Sequence, residues 1–221
     1  MGLNEQKGNM YTWVTHTFNM IKGKCPHDCS YCYMKMYKQN PVRFDASELK
    51  TDLGSGNTIF VGSSCDDFAE EIPGDWIYRM LEHLRKYPEN TYLLQSKNPA
   101  RIEEFRCYGY LPPKVIVGTT IESNRDYGTS LAPANRNRYE NMWSIPLPKM
   151  ISIEPVMDFD IDILTDWIAD IKPDFVSIGA DSKGNHLPEP SKEKLLKFIN
   201  NLNGITEIKA KHNLNRILKG E

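Results

Sequence analysis

The chain has few cysteines, and most of them lie in one place. Only five of its 221 residues are cysteine, and the sequence holds no run of about 18 apolar residues that could cross a bilayer. Residues 1–10 lack the apolar core of a signal peptide. Few cysteines without a secretion signal are typical of a reducing compartment. We therefore predict a cytoplasmic protein with no membrane partner.

The chain also lacks a strong charge of either sign. Its net charge of −2 gives no global field that would attract nucleic acid. Five basic residues nevertheless flank the cysteine-rich segment, and they fit a solvated surface and a nucleic-acid contact equally well: Lys22, Lys24, Lys35, Lys38 and Arg43. The composition is 40% hydrophobic and 25% charged, as in ordinary globular proteins. At this length we predict a single domain over residues 1–221.

Three cysteines fall within eight residues, in the segment Cys25-Pro-His-Asp-Cys29-Ser-Tyr-Cys32. Thiolates are the usual ligands of iron–sulfur clusters, and three of them on one tight loop can bind three irons of a [4Fe–4S] cube. The fourth iron then has no protein ligand and can bind a substrate or cofactor. The spacing therefore predicts a catalytic cluster held by Cys25, Cys29 and Cys32.

Two other interpretations of these cysteines remain open. A zinc site needs four tetrahedral ligands, and His27 or Cys65 could supply the fourth, but such sites usually pair two short motifs and this chain has one. A disulfide within the loop would leave an odd cysteine. Outside the loop only Cys65 and Cys107 remain, which is too few for a second four-cysteine cluster.

The rest of the chain alternates between strand and helix patterns. Short apolar or β-branched runs predict six strands, at 13–19, 58–63, 91–96, 115–121, 150–154 and 175–179. Apolar stripes at helical spacing predict helices within 76–84, 161–171 and 195–202, with a further helix at 134–143. Such repeated strand–helix units predict an α/β fold with a parallel sheet and right-handed crossovers.

Polar residues follow several of the predicted strands, and in such folds chemistry gathers at the carboxyl ends of the strands. Cys65 follows the second strand and Lys97 the third, while Glu122 and Glu154 follow the fourth and fifth. A carboxylate at the end of a buried strand is costly unless it is paired or faces a polar cavity. The two glutamates therefore predict a polar site.

The alternative for the two glutamates is structural. An ion pair with Arg136 or Arg138, or the capping of a helix, would satisfy a strand-end carboxylate without any ligand. A surface lysine before a helix is the corresponding alternative for Lys97.

The cysteine motif resembles the signature of the radical S-adenosylmethionine (SAM) superfamily. The segments VGSS, LLQSKNP, GTTIES, SIEP and IGADSKG, in that order, resemble a compact, phage-associated family of radical-SAM proteins that is similar to spore photoproduct lyase. The resemblance extends from about Trp13 over nearly the whole chain. It implies a partial (β/α)6 TIM-like barrel in which SAM binds the open iron. One electron then cleaves SAM to methionine and a 5′-deoxyadenosyl radical.

The resemblance also implies roles for individual residues. Five residues are predicted to contact SAM: Tyr31, Gly62, Ser63, Lys97 and Glu122. Lys97 resembles a lysine that pairs with the SAM carboxylate. Cys65 is predicted to return a hydrogen atom to a product radical, and Glu154 to face the substrate. Ordinary packing is the alternative for Tyr31, and a small buried residue behind a turn is the alternative for Cys65.

The function that follows from the resemblance is hydrogen abstraction from a nucleic acid or nucleotide, as repair or base modification, in a lyase- or transferase-type reaction. A peptide or a small metabolite is the alternative substrate. An iron–sulfur or zinc module that only scaffolds a partner is the non-enzymatic alternative, although a scaffold has no use for strand-end carboxylates. The enzyme would need an external one-electron donor of the flavodoxin or ferredoxin type.

Overall fold

The computed structural model describes residues 2–6 and 11–220, which form an α/β fold on one mostly parallel sheet of eight strands. The strand order in this open sheet is β1-β2-β5-β6-β7-β8-β9-β10, and β3 and β4 form a separate antiparallel pair. The strands are β1 (Asn4–Glu5), β2 (His16–Phe18), β3 (Ile21–Lys22), β4 (Arg43–Phe44), β5 (Thr58–Val61), β6 (Thr91–Gln95), β7 (Val115–Thr120), β8 (Lys149–Ile153), β9 (Phe175–Ile178) and β10 (Glu207–Ala210). The predicted α/β class, with an open rather than a closed sheet, is confirmed.

Six α-helices accompany the strands within the described part of the chain. They are α1 (Gly74–Arg85), α2 (Pro99–Cys107), α3 (Asn135–Ser144), α4 (Ile161–Ile171), α5 (Lys192–Leu202) and α6 (Asn215–Lys219). The four predicted helices correspond to α1, α3, α4 and α5, and their predicted bounds agree with the structure to within a few residues. Their apolar stripes are buried, for example Ile77, Met80, Leu81 and Leu84 of α1. Burial of these stripes is the main source of stability for such helices.

The residues divide into two compact units. The first contains Met1–Val117 and Ser130–Ala132, and the second contains Gly118–Thr129 and Pro133–Glu221. The single domain predicted over residues 1–221 stays a prediction.

In the first unit, parallel pairing aligns the ends of three strands. Phe18 of β2 pairs with Val61 of β5, which in turn pairs with Leu94 of β6. The residues that follow β5 and β6 therefore leave the sheet at the same edge. That register brings the segment after Val61 and the segment after Gln95 together, although some 30 residues separate them in the chain.

The second unit repeats this arrangement with β8, β9 and β10. Ile153 pairs with Ile178, and Ile178 pairs with Ala210, all in parallel. Consequently Glu154, Gly179 and Lys211, the residues directly after these strands, lie at a common edge.

Among the helices of the described residues, none has both the length and the apolar character needed to cross a membrane. The prediction made for the N-terminal segment falls partly on residues 1 and 7–10, which lie outside the described residues.

Candidate active site

The three clustered cysteines lie on a tight loop between β3 and a short 3-10 helix at Tyr33–Met36. Two backbone hydrogen bonds fold the loop: the Asp28 amide donates to the Cys25 carbonyl at 3.2 Å, and the Cys32 amide to the Cys29 carbonyl at 3.1 Å. Asp28 adopts the left-handed conformation, with φ of 42°, which aspartate tolerates better than most residues. The chain therefore turns sharply between the first two cysteines.

All five cysteines, each within the described residues, are free thiols, so the disulfide interpretation has no counterpart in the structure. Within residues 2–6 and 11–220, no group of three or more His, Cys, Asp or Glu side chains is arranged to hold a metal ion. A mononuclear zinc site needs ligands that converge on one point. Three cysteines that bind different irons of a cube need no such convergence.

Two groups from outside the cysteine loop donate to the sulfur of Cys25. The backbone amide of Asp66 points at Cys25 Sγ from 3.4 Å, and the buried Cys65 thiol also contacts it. The Cys65 thiol lowers the pKa of Cys25 to about 6, an effect that outweighs the opposing effect of burial. The same contact and burial raise the pKa of Cys65 far above its ordinary value, so Cys65 remains a thiol. This environment stabilises a thiolate at Cys25, the form that binds metal.

The Asp66 carboxylate connects three segments of the chain. Its Oδ2 atom accepts from the Lys97 amide at 2.7 Å and lies 2.9 Å from His27 Nε2, while Oδ1 accepts from the Phe68 amide at 3.0 Å. His27 and this carboxylate form an ion pair when the imidazole is protonated. Burial opposes ionisation of both groups. Their mutual contact nevertheless raises the pKa of His27 and lowers that of Asp66.

Gly62 lies at the turn after β5, with φ of 76°, a conformation that favours glycine. A Cβ atom at this position would lie 2.6 Å from the Asp67 carboxylate. That carboxylate is buried, and neither oxygen has a hydrogen-bond partner among the described residues. Burial, and to a lesser extent the charge of Asp66, raises the pKa of Asp67 well above its usual range.

Ser63 is the next residue of this turn, and it is held on both its side chain and its backbone. Its hydroxyl hydrogen bonds with the Asn19 side chain at 3.2 Å, and its carbonyl accepts from the Tyr33 hydroxyl at 2.9 Å. The turn after β5 is thus fixed to the end of β2 and to the helix that follows the cysteine loop.

Tyr31 and Lys97, both predicted to contact SAM, contact each other. The Lys97 ammonium donates to the Tyr31 hydroxyl and lies 4.7 Å from the centre of its ring. Tyr31 directly precedes Cys32, so this contact joins the cysteine loop to the residues that follow β6. Every predicted cofactor and metal residue except Glu122 lies in the first unit.

Glu122 lies in the second unit, where it forms a buried ion pair with Arg138 of α3. Arg138 donates to Glu122 Oε2 at 2.9 Å, and both side chains are only 3% exposed. The guanidinium also donates to the carbonyls of Thr120 and Pro133, at 2.9 and 2.6 Å. The ion pair that the sequence analysis gave as the structural alternative for Glu122 is therefore present, and its partner is Arg138. Arg136 pairs instead with Glu140 in an exposed contact.

Glu154 directly follows β8 and pairs with Lys211, which follows β10, at 2.6 Å. Its carboxylate lies across Gly179 at the end of β9, where a Cβ atom would come within 2.7 Å of Oε1. Glycine at 179 thus leaves the space that the glutamate occupies. The aligned ends of the three strands explain why these residues meet.

The importance of His27 and Asp66 as a pair was missed from the sequence. His27 was considered only as a zinc ligand, and the chain separation between the two residues hides their contact. The one available signal was the adjacent acidic pair Asp66 and Asp67, directly after a strand that ends in glycine.

Comparison with solved structures reveals similar folds. A single-site mutant of spore photoproduct lyase superposes with a TM-score of 0.65, at 8% identity over 95% of this chain and 80% of that chain. A double mutant of the same lyase with bound AdoMet and dinucleoside spore photoproduct gives 0.56, at 9% identity over 92% of this chain. Streptococcus suis SuiB bound to precursor peptide SuiA gives 0.63, at 8% identity over 90% of this chain and 49% of that chain.

These neighbours are radical-SAM enzymes, and at such low identity the likeness establishes the fold. The chain spans 66% of the double-mutant lyase, slightly less than two thirds of its length. No curated protein matches the chain. Residues 9–188, most of the chain, match the family described as a protein of unknown function (DUF5131). The chain therefore belongs to the DUF5131 family and has the open α/β fold of radical-SAM enzymes.

Proposed function

We propose that this chain is a radical-SAM enzyme with a [4Fe–4S] cluster and SAM as cofactors. The cysteine loop carries the proposal. It presents three free thiols within eight residues, in a fold similar to radical-SAM enzymes, with an N–H donor already directed at one sulfur. The donor set fits such a cluster, since cysteine thiolates are its usual ligands. Cys25, Cys29 and Cys32 would be the ligands.

The bound cluster would supply one electron that cleaves SAM to methionine and a 5′-deoxyadenosyl radical. The chain's own residues bind and orient SAM and exclude water from the reacting atoms. The Lys97 ammonium pairs with the SAM carboxylate, with Tyr31 fixing its position. Backbone groups of Gly62 and Ser63 complete these contacts to SAM. The predicted SAM contact of Glu122 would require that its carboxylate exchange the ion pair with Arg138 for the ligand.

On the substrate side we propose Glu154 and Cys65. Glu154 contacts polar groups of the substrate. The Cys65 thiol gives its hydrogen atom to a carbon-centred product radical: the S–H bond breaks, a C–H bond forms, and the thiyl radical left behind takes an electron and a proton from the external donor system. In Cys65→Ala, 5′-deoxyadenosine should still form with substrate present while the product falls or changes. An unchanged product would return Cys65 to a packing role.

The substrate class that we favour is nucleic acid or nucleotide. It is supported by the similarity to a lyase solved with a dinucleoside photoproduct and by basic residues around the cysteine loop, such as Lys24 and Lys35. A peptide is the second candidate, because SuiB was solved with a precursor peptide. The same proposal includes a cytoplasmic location, an electron donor of the flavodoxin or ferredoxin type, a lyase- or transferase-type reaction and kinship with phage-associated proteins.

The cluster itself is tested by anaerobic reconstitution followed by iron and sulfide analysis. The parent and Cys107→Ala should each hold about four irons per chain, whereas Cys29→Ala should hold almost none. Cys107 is a suitable control because it is an exposed cysteine at the end of α2. Stoichiometric zinc in place of iron, or equal iron in Cys29→Ala, would contradict the proposal.

A further inference from the structure

The Asp66 backbone amide points at a candidate cluster ligand from outside the cysteine loop, as does the neighbouring Cys65 thiol. The amide nitrogen lies 3.4 Å from Cys25 Sγ, within the range of an N–H···S hydrogen bond. Hydrogen bonds to cysteine sulfurs are among the factors that set the reduction potential of an iron–sulfur cluster. The orientation of this one peptide group therefore bears on how readily the cluster accepts an electron.

The Asp66 side chain holds that peptide group in place. Its carboxylate is 10% exposed and accepts from the amides of Phe68 and Lys97, at 3.0 and 2.7 Å. The Ser96 hydroxyl also donates to it. Because these contacts come from the turn after β5 and from the residues after β6, the carboxylate fixes its own amide relative to two strands.

A fourth contact of the Asp66 carboxylate reaches the cysteine loop itself. His27, two residues after Cys25, lies 2.9 Å from Asp66 Oδ2 and is 5% exposed. The Leu131 amide donates to the His27 carbonyl at 2.8 Å and fixes the backbone of the loop there. Asp66 thus contacts the loop twice, through its amide at Cys25 and through its carboxylate at His27.

We propose that Asp66 is a positioning residue for the cluster, whose carboxylate orients the Asp66 N–H toward Cys25 Sγ and so raises the reduction potential. The inference rests on the proposed function, since it requires a cluster on Cys25. The physical reason is that an N–H donor offsets the negative charge on the sulfur and favours the reduced, more negative cluster. The residue acts through Cys25 and does not itself touch the substrate.

Asp66→Glu tests this without changing the charge. The longer side chain keeps the carboxylate but cannot accept from the same amides in the same geometry. Asp75→Glu is the matched control, because Asp75 is an exposed aspartate at the start of α1. Ser96→Ala is the milder second variant, since it removes one donor to the carboxylate and leaves the charge unaltered.

The measurement is an anaerobic redox titration followed by electron paramagnetic resonance of the reconstituted proteins. We expect Asp66→Glu to lower the equilibrium constant for cluster reduction about tenfold, which is about 59 mV for a one-electron couple. Ser96→Ala should shift the potential in the same direction by less, and Asp75→Glu should match the parent. If Asp66→Glu folds but does not retain its cluster, the reduction potential of Ser96→Ala decides: a lowered potential supports the proposal, and a potential equal to that of the parent overturns it.

Three results would overturn it. The first is a reduction potential equal to that of the parent in an Asp66→Glu protein that is folded and contains a cluster. The second is a reduction potential equal to that of the parent in Ser96→Ala, and this result decides the question if Asp66→Glu does not fold. The third is a parent protein that binds no cluster, which overturns the proposed function as well. If the parent holds a cluster but the variants have the same reduction potential as the parent, the role of Asp66 is wrong while the proposed function stands.

Discussion

Replacement of Arg138 by leucine should destabilise the protein more than any other single loss of charge on α3. The guanidinium is buried and donates to Glu122 and to the carbonyls of Thr120 and Pro133. Arg138→Leu leaves the buried Glu122 carboxylate without this counter-charge. Removing one partner of a buried ion pair costs about 3–5 kcal/mol. A loss of about 4 kcal/mol corresponds to an approximately thousandfold fall in the folding equilibrium constant.

A second arginine on the same helix provides the control. Arg136 pairs with Glu140 at 2.9 Å, but the two side chains are 77% and 53% exposed. Exposed pairs four residues apart on a helix contribute about 0.3–0.5 kcal/mol. Arg136→Leu should therefore be nearly neutral, although it removes the same charge two residues away.

The double variant Arg138→Leu, Glu122→Leu separates the ion pair from the packing around it. Because both buried charges are then absent, its cost should be smaller than the sum of the two single costs. The assay is urea unfolding of the cluster-free protein under reducing conditions, followed by far-ultraviolet circular dichroism. A cost below about 1 kcal/mol for Arg138→Leu, no larger than that for Arg136→Leu, would contradict this prediction.

Three further predictions concern the first unit. Lys97→Ala should weaken SAM binding by about tenfold to a hundredfold, because a charge-assisted contact is lost. Equilibrium dialysis with the reconstituted protein measures the affinity, and an unchanged affinity would contradict the proposed role of Lys97. Gly62→Ala should destabilise the fold by more than Gly56→Ala, because both glycines have positive φ but, of the two, only position 62 would place Cβ against a carboxylate. Thermal unfolding of the two variants measures this, and equal shifts in Tm would contradict it. The Lys22 ammonium lowers the pKa of Asp45 to about 2, so the stabilisation from this ion pair is complete above the ordinary aspartate pKa near 3.9 and is lost as the pH falls toward 2. Lys22→Met should therefore move acid unfolding to higher pH, and an unchanged midpoint pH of unfolding would argue against the pair.

The strands of the sheet that carry the candidate site could be predicted from the sequence because they are short, buried and apolar. The runs around Thr58–Val61 and Phe175–Ile178 have few polar residues to confuse the pattern. β10 was not predicted because Glu207–Ala210 alternates charged residues on a half-exposed edge strand. The helix α2 lacks a clear apolar stripe, and its start at Pro99 is a local signal that periodicity does not detect.

The contacts of the candidate site were harder to predict than its residues. The spacing of the three cysteines is local, whereas the ion pair between His27 and Asp66 depends on how a loop meets a distant strand end. The partner of Glu122 illustrates the same limit. Arg136 and Arg138 are equivalent in the sequence, and only the rotation of α3 exposes the first and buries the second.

In the proposed function, the chain uses a three-cysteine cluster to cleave SAM. Chromatography for 5′-deoxyadenosine tests this directly, after anaerobic incubation of the reconstituted parent, Cys29→Ala and Cys107→Ala proteins with dithionite and SAM. We expect 5′-deoxyadenosine and methionine in equal amounts from the parent and from Cys107→Ala, and none above background from Cys29→Ala. A parent protein that holds a full cluster yet forms no 5′-deoxyadenosine, or product that is undiminished in Cys29→Ala, would contradict it.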